Sequence, residues 1–368
     1  MRRCRICGRE VSVSKILGIC ADCIRSSEEA LPYIIESHQN ARLPYDLPIM
    51  PPREKGISCN LCSNKCRISE GKRGYCGLRW NKNGKFHSEV SGNRALLYSY
   101  LDPHITNCCA AWFCPATGRG YPKYSYRKSG ELGYYNYAVF FYGCNFSCLF
   151  CQNYSHKNLE NSQLVDISDF THKIKSNGKI SCVCYFGGSP EPQLPFVIRA
   201  SRKILEEADR LVRICMEWNG CGNKNLVKKL AKISLESGGI IKFDLKTFSP
   251  TLSLALSGVS NEEAYKNFEM IYHNFYEERK EVPLLTATTL LVPGYVDEKE
   301  VEGIARFISD LDRDIPYSLL VFHPQFYMKD LSVTPFSQVK KCLETSKKYL
   351  NNVHVGNLHL LGLYKSLL

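Results

Sequence analysis

Several common features are missing from this 368-residue chain, and each absence excludes something. It has no apolar run of about 18 residues or more, so no membrane-spanning helix is predicted. The start, Met1-Arg-Arg-Cys-Arg-Ile-Cys7, is basic but lacks the apolar stretch of a secretory signal, and a cytoplasmic location is expected. No internal repeat or low-complexity tract appears, which leaves solenoids and disordered arrays without support. Lysine and arginine (48) exceed aspartate and glutamate (36), for a net charge of +12. No short, dense Lys/Arg tract concentrates that excess, so a nucleic-acid partner is not indicated; a basic surface or an acidic protein partner accounts for it equally well.

What the chain has in quantity is cysteine, 19 residues. Without a secretory signal, clustered thiols read as metal ligands rather than as a disulfide framework. Cys4-Arg-Ile-Cys7 and Cys20-Ala-Asp-Cys23 are paired C-x2-C knuckles, the spacing of a ribbon that closes one tetrahedral four-thiolate site for zinc or mononuclear iron. Cys59, Cys62, Cys66 and Cys76 form a second group, with Gly71, Gly74 and Gly77 allowing tight turns, and a second metal or cluster site is expected there. Cys108, Cys109 and Cys114 are a looser set for which buried thiols and ligands are equally good readings.

The most specific signal is Cys144-Asn-Phe-Ser-Cys148-Leu-Phe-Cys151, at the end of an apolar run. Three thiolates so close can hold three irons of a 4Fe–4S cube and leave the fourth open for chemistry, whereas four-cysteine sites are closed. Apolar runs at Tyr137–Tyr142, Ser181–Phe186, Leu211–Glu217, Ile240–Leu245, Leu284–Leu291 and Tyr317–Phe322 alternate with amphipathic segments near 191–208, 223–237, 260–274, 298–311 and 336–350. Helix starts are expected at a capping box, Ser260-Asn-Glu-Glu263, and at Thr334 before Pro335. Strand–helix alternation predicts an α/β fold with a parallel sheet curled into a partial or complete barrel.

Functional residues of such folds collect at the carboxyl ends of strands. Gly187-Gly188-Ser189-Pro190-Glu191 follows the second strand, where freed backbone groups could grip a zwitterion. Glu217-Trp218-Asn219-Gly220 follows the third, Asp244-Leu245-Lys246 the fourth, His323-Pro324 the sixth, and Val355-Gly356-Asn357 stands near the end. Singly, each has a structural explanation, such as a cap, a snorkelling lysine or a satisfied histidine. Together they mark successive strand ends, where a core would not place charge.

With these residues in view, the region from about Tyr137 to Val355 resembles the radical S-adenosylmethionine (SAM) proteins related to pyruvate formate-lyase activating enzyme, especially those that accompany AMMECR and Memo proteins. Matching stretches are Gly143–Asn153, Phe243–Phe248, Gly258–Asn261, Thr289–Gly294 and Phe322–Pro324, and Cys59–Arg79 is similar to that group's preface. The resemblance implies a partial (β/α)6 barrel over 137–368. It would be preceded by a ribbon (1–30), a proline-rich linker (31–58), a second cysteine module (59–98) and an aromatic insert (99–136). It implies cluster ligation by Cys144, Cys148 and Cys151, and SAM held beside Gly187, Gly188, Ser189 and Glu191. Phe150 and Asn357 would flank adenine. Glu217, Asn219, Asp244, Lys246 and His323 would line the cofactor and substrate cavity, with Lys246, His323 and Glu217 as catalytic candidates. A ferredoxin- or flavodoxin-type electron donor and a protein or peptide substrate are expected. The reaction read first is cobalamin-dependent C-methylation, similar to that of radical methylases acting on a glutamine of methyl-coenzyme M reductase. The alternative is hydrogen abstraction from a glycine of a partner enzyme. Two departures from the relatives stand out: Trp218-Asn-Gly220 replaces their Thr-Asn-Gly, and the four-cysteine ribbon at 4–23 is an addition to the simple activating enzymes; against the cobalamin reading, Asp102-Pro-His104 is followed by Asn107 where the cobalamin motif has glycine.

Overall fold

A computed structural model describes residues 1–367, with side chains to Gly362. Its centre is a nine-stranded sheet of β1 (Arg94–Pro103), β2 (Tyr135–Phe141), β3 (Leu164–Asp166), β4 (Ile180–Phe186), β5 (Arg213–Trp218), β6 (Ile241–Asp244), β7 (Leu285–Leu291), β8 (Tyr317–Val321) and β9 (Val353–Gly356). The spatial order is β9-β8-β7-β6-β5-β4-β2-β1-β3. Seven strands, β2 and β4 to β9, run parallel, while β1 pairs antiparallel with β2 and with β3. The parallel strands are near-continuous apolar runs because both faces are covered: six of the seven residues of β2 and of β4 are buried.

Three short antiparallel pairs, Arg2–Arg3 with Glu10–Val11, Ile57–Ser58 with Arg67–Ile68 and Arg79–Lys82 with Lys85–Ser88, lie outside the main sheet. The α-helices are α1 (Ala21–Ser26), α2 (Ala30–Arg42), α3 (Ile167–Ser176), α4 (Leu194–Glu207), α5 (Lys224–Glu236), α6 (Pro250–Ser257), α7 (Glu262–Phe275), α8 (Glu298–Leu311) and α9 (Phe336–Tyr349). Side chains start several of them: Asn223 accepts from the Leu226 amide, Ser249 from Leu252 and Asp297 from Glu300.

The structure differs from the sequence reading in four places. The strand Val353–Gly356 adds a seventh parallel member beyond the six expected runs. The stretch 31–58 is not all irregular, because α2 runs through Pro32; proline in a first helical turn removes only an amide that has no intrahelical partner. The expected boundary at 98/99 falls inside β1, whose Tyr98 and Tyr100 stack on Phe140 of β2. Neither expected cap forms as read. Ser260 Oγ accepts from the Glu262 amide, one residue too early for a box, and Thr334 Oγ1 instead joins β7 to the end of β8 by donating to Leu291 O and accepting from Phe322 N.

Candidate active site

The loop after β2 carries Cys144, Cys148 and Cys151 into one cavity at the carboxyl ends of the parallel strands. Its amides are tied to α6: Ser147 N and Leu149 N donate to Ser257 O and Leu256 O, and Cys148 Sγ lies 3.4 Å from Ser257 Oγ. Opposite stands the turn after β4. Gly187, Gly188 and Ser189 all have positive φ (61°, 62° and 54°), and a Cβ on Gly188 would sit 1.8 Å from Phe141 O. Only glycine permits so close a backbone approach, and Ser189 holds a conformation that costs a non-glycine residue about 1–2 kcal/mol. The Ser189 hydroxyl is fixed by the Asn219 side-chain amide at 2.8 Å.

Most of the residues expected here do meet. Phe150, Glu217, Asn219, Asp244, Lys246 and Asn357 line the same cavity. Lys246 pairs with Asp244 and stands 5.7 Å from the Phe150 ring centroid. Burial works against the lysine charge, but Asp244 and the nearby Cys148 sulfur hold its pKa above the ordinary value. Two expected residues fall elsewhere. Glu191 is fully buried behind the wall, its Oε1 accepting from Gly220 N at 2.7 Å, and burial pushes its carboxyl up to about 7. His323 is exposed and absent from the cavity, because Phe322 turns into the core and the next side chain points out.

Sequence reasoning missed His156, Lys242 and Thr288, which also line the cavity. Lys242 had a visible signal, a cation inside the apolar run Ile240–Leu245. His156 and Thr288 carry none, since nothing local separates them from packed neighbours. Burial drives the Cys144 thiol well above its usual pKa and Cys151 up to about 11, so these groups keep their protons until a metal displaces them.

Two other cysteine sets are ordered. Cys4 and Cys23 sulfurs are 3.8 Å apart, and those of Cys7 and Cys20 are 3.9 Å apart. A tetrahedron of bonds near 2.3 Å requires edges of about 3.8 Å, so the four sulfurs already outline a single-ion site. Arg25 fixes this ribbon to the start of α8 through Asp297 (2.8 Å) and Glu300 (2.9 Å). Cys59, Cys62, Cys66 and Cys76 instead ring a small closed pocket with Arg79, and do not converge within the 4.8 Å that one ion demands.

Residues 138–308 match the family model of the Radical SAM superfamily. This segment is a radical SAM domain. A Methanocaldococcus jannaschii protein described as a candidate glycyl-radical enzyme activating enzyme is 25% identical over 214 residues, 58% of this chain and 77% of its own. An uncharacterised protein of the same organism is 24% identical over 323 residues, 82% and 81% of the two chains. Among solved structures, Streptococcus suis SuiB bound to its precursor peptide SuiA superposes with a TM-score of 0.46 at 15% identity, covering 61% of this chain and 49% of SuiB. A domain of pyruvate-formate lyase-activating enzyme from Bacteroides vulgatus gives 0.39 at 19%, covering 48% and 98%. The chain thus spans about half the length of SuiB.

Radical SAM domains use a 4Fe–4S cluster and SAM, and the cavity fits both. It offers three soft thiol donors on one loop. Across from them is the Gly187–Ser189 turn, packed so closely on Phe140 and Phe141 that neither glycine has room for a Cβ, and two buried polar atoms without partners, His156 Nδ1 and Thr288 Oγ1, belong to residues of the cavity wall. No described helix is long and apolar enough to cross a membrane.

Proposed function

We propose that the chain is a radical SAM enzyme that abstracts hydrogen from a protein or peptide substrate. Cys144, Cys148 and Cys151 would hold the cluster, Gly187–Ser189 the methionyl end of SAM, and Phe150 and Asn357 its adenine. The observation that carries this reading is the three-cysteine loop of β2 facing the Gly-Gly-Ser turn of β4 across one cavity. When bound, the cluster supplies one electron that cleaves SAM to methionine and a 5′-deoxyadenosyl radical.

The chain's own residues position and protect. Asn219 holds Ser189 Oγ, and Phe150 and Phe186 shield the cavity wall from water. Lys246, with Lys157 and Arg42 behind the loop, balances the negative charge that three thiolates bring. The carboxyls of Glu217 and Glu191, both raised to about 7 by burial, can carry or hold a proton near neutral pH. About a third of the Glu217 side chain is accessible, 34%, so solvent weakens its shift relative to that of the fully buried Glu191.

Glycyl-radical activation fits best as the specific reaction, because two Methanocaldococcus jannaschii relatives, at 25% and 22% identity, are described as candidate activating enzymes. Cobalamin-dependent methylation draws no support from the site. His104, the imidazole of Asp102-Pro-His104, is buried outside this cavity, with Nε2 2.9 Å from Ser181 Oγ and Nδ1 unpaired, and Asn107 stands where the motif has glycine. The Cys59–Cys76 ring, too wide for one ion, suits a second multi-iron cluster.

Anaerobic reconstitution with iron, sulfide, reductant and SAM tests the proposal. The wild-type chain should release 5′-deoxyadenosine and Cys148→Ala should release none. Equal release by the two proteins, or none by either with the cluster present, would sink it. A glycyl-radical resonance on a co-expressed partner enzyme would establish the specific reaction, whereas methyl mass added to a polypeptide would replace it with methylation.

A further inference from the structure

Beside the SAM cavity, and sharing Glu217, Lys242 and Phe186 with it, lies a second cavity of about 90 Å³. This is room for a cation with a water. Cys108 lines one side of it, and Cys109 is the next residue. One ligand atom each from Cys108, Cys109 and Glu217 lies within 4.8 Å of the other two, and only the four-cysteine ribbon shares that property among the described residues.

Distant elements hold the three groups in place. Glu217 stands on β5. The cysteine pair is pinned to β8, whose Ser318 Oγ donates to Cys109 O at 2.8 Å and accepts from Trp112 Nε1 at 3.1 Å. Lys242 of β6 is buried with its Nζ 3.6 Å from Glu217 Oε2 and 3.3 Å from Cys184 Sγ. A buried ammonium requires compensating negative charge, and one carboxylate shared with two neighbouring thiols leaves the arrangement short of a defined charge state.

We propose that Cys108, Cys109 and Glu217 bind one thiophilic divalent cation of the zinc or ferrous class. Two thiolates and a carboxylate carry three negative charges, which a divalent ion and Lys242 neutralise. Three protein ligands leave the fourth tetrahedral position to a water or to a substrate heteroatom, the composition of a reactive rather than a closed site. The site lies on the wall between the two cavities and would present that open position near the place where substrate must enter. A packed, reduced thiol pair would explain the partial burial of the cysteines. It would not explain why a carboxylate and an ammonium converge on them.

Metal analysis of the full chain, isolated anaerobically from zinc-supplemented medium, provides the test. Relative to wild type, Cys108→Ser/Cys109→Ser should lose one metal ion per chain, while Cys182→Ser, in the same cavity but outside the triad, should lose none. Identical metal content in wild type and the double variant would overturn the proposal. Should the double variant fail to fold, zinc X-ray absorption of the Cys23→Ser chain, which lacks the ribbon's ion, decides. The expected first shell mixes sulfur with oxygen near 2.0–2.2 Å; an all-sulfur shell, or no bound zinc, overturns the site. Neither readout depends on SAM cleavage, so this inference and the proposed function can fail separately.

Discussion

Asn219 Nδ2 donates to Asn145 Oδ1 at 2.8 Å, joining the end of β5 to the residue that follows the first cysteine of the loop. Asn145 is also held from outside the sheet, since its carbonyl accepts from Asn64 Nδ2 at 2.7 Å within the second cysteine module. The three-cysteine loop is therefore positioned from two directions by uncharged, fully buried amides, whose geometry does not vary with pH or salt.

Asn145→Ala should leave Asn219 Nδ2 with Ser189 as its remaining partner and strand buried polar groups, at a cost of about 1–3 kcal/mol. Urea unfolding of the metal-free chain measures the loss. Iron retention should fall in the same variant. Unchanged stability would show that the amide pair does not support the loop.

Gly188→Ala would place a methyl against Phe141 O in a left-handed backbone. The left-handed conformation alone costs about 1–2 kcal/mol, and the overlap adds to it. The turn must shift, so SAM affinity should drop by an order of magnitude or more in equilibrium dialysis while the ribbon keeps its metal.

Glu191 carries a pH signature. Its folded carboxyl titrates at about 7 rather than near 4.5, so the folded state holds the proton more tightly than the unfolded chain. The associated stability is fully present below pH 4.5 and is lost as pH rises through about 7. Glu191→Gln keeps an oxygen for Gly220 N and removes the titration. The variant should gain on wild type as pH increases from 5 to 8, by up to about 3 kcal/mol. A constant difference across that range would mean the carboxyl is not held neutral.

Removing one ribbon ligand with Cys23→Ser should release the ion, because so short a segment draws its folding energy from the metal. Trypsin should then cut at Arg9 or Arg25, which in the intact protein are bound to Asp22 and to Asp297 and Glu300. The melting of the sheet should change little. Resistance equal to wild type would assign the ribbon's order to packing of Leu17 and Ile19 in the main core instead.

The sequence by itself determined the features that are local. The spacing of Cys4, Cys7, Cys20 and Cys23, the Cys144–Cys151 loop and the Gly187–Ser189 turn each lie within a few residues, and thiol chemistry or backbone freedom specifies them without reference to the rest of the chain. The apolar runs likewise disclosed the parallel sheet, since strands covered on both faces have to be continuously hydrophobic. Tertiary structure decided the features that depend on which way a side chain leaves its strand and what the register brings beside it. One residue of difference turns Phe322 inward and His323 to solvent, and places Glu191 behind the cavity wall rather than in it. No local pattern could bring Cys108 and Cys109 to Glu217, more than a hundred residues away. That meeting follows from the segment after β1 being pinned to β8 while β5 lies elsewhere in the same sheet.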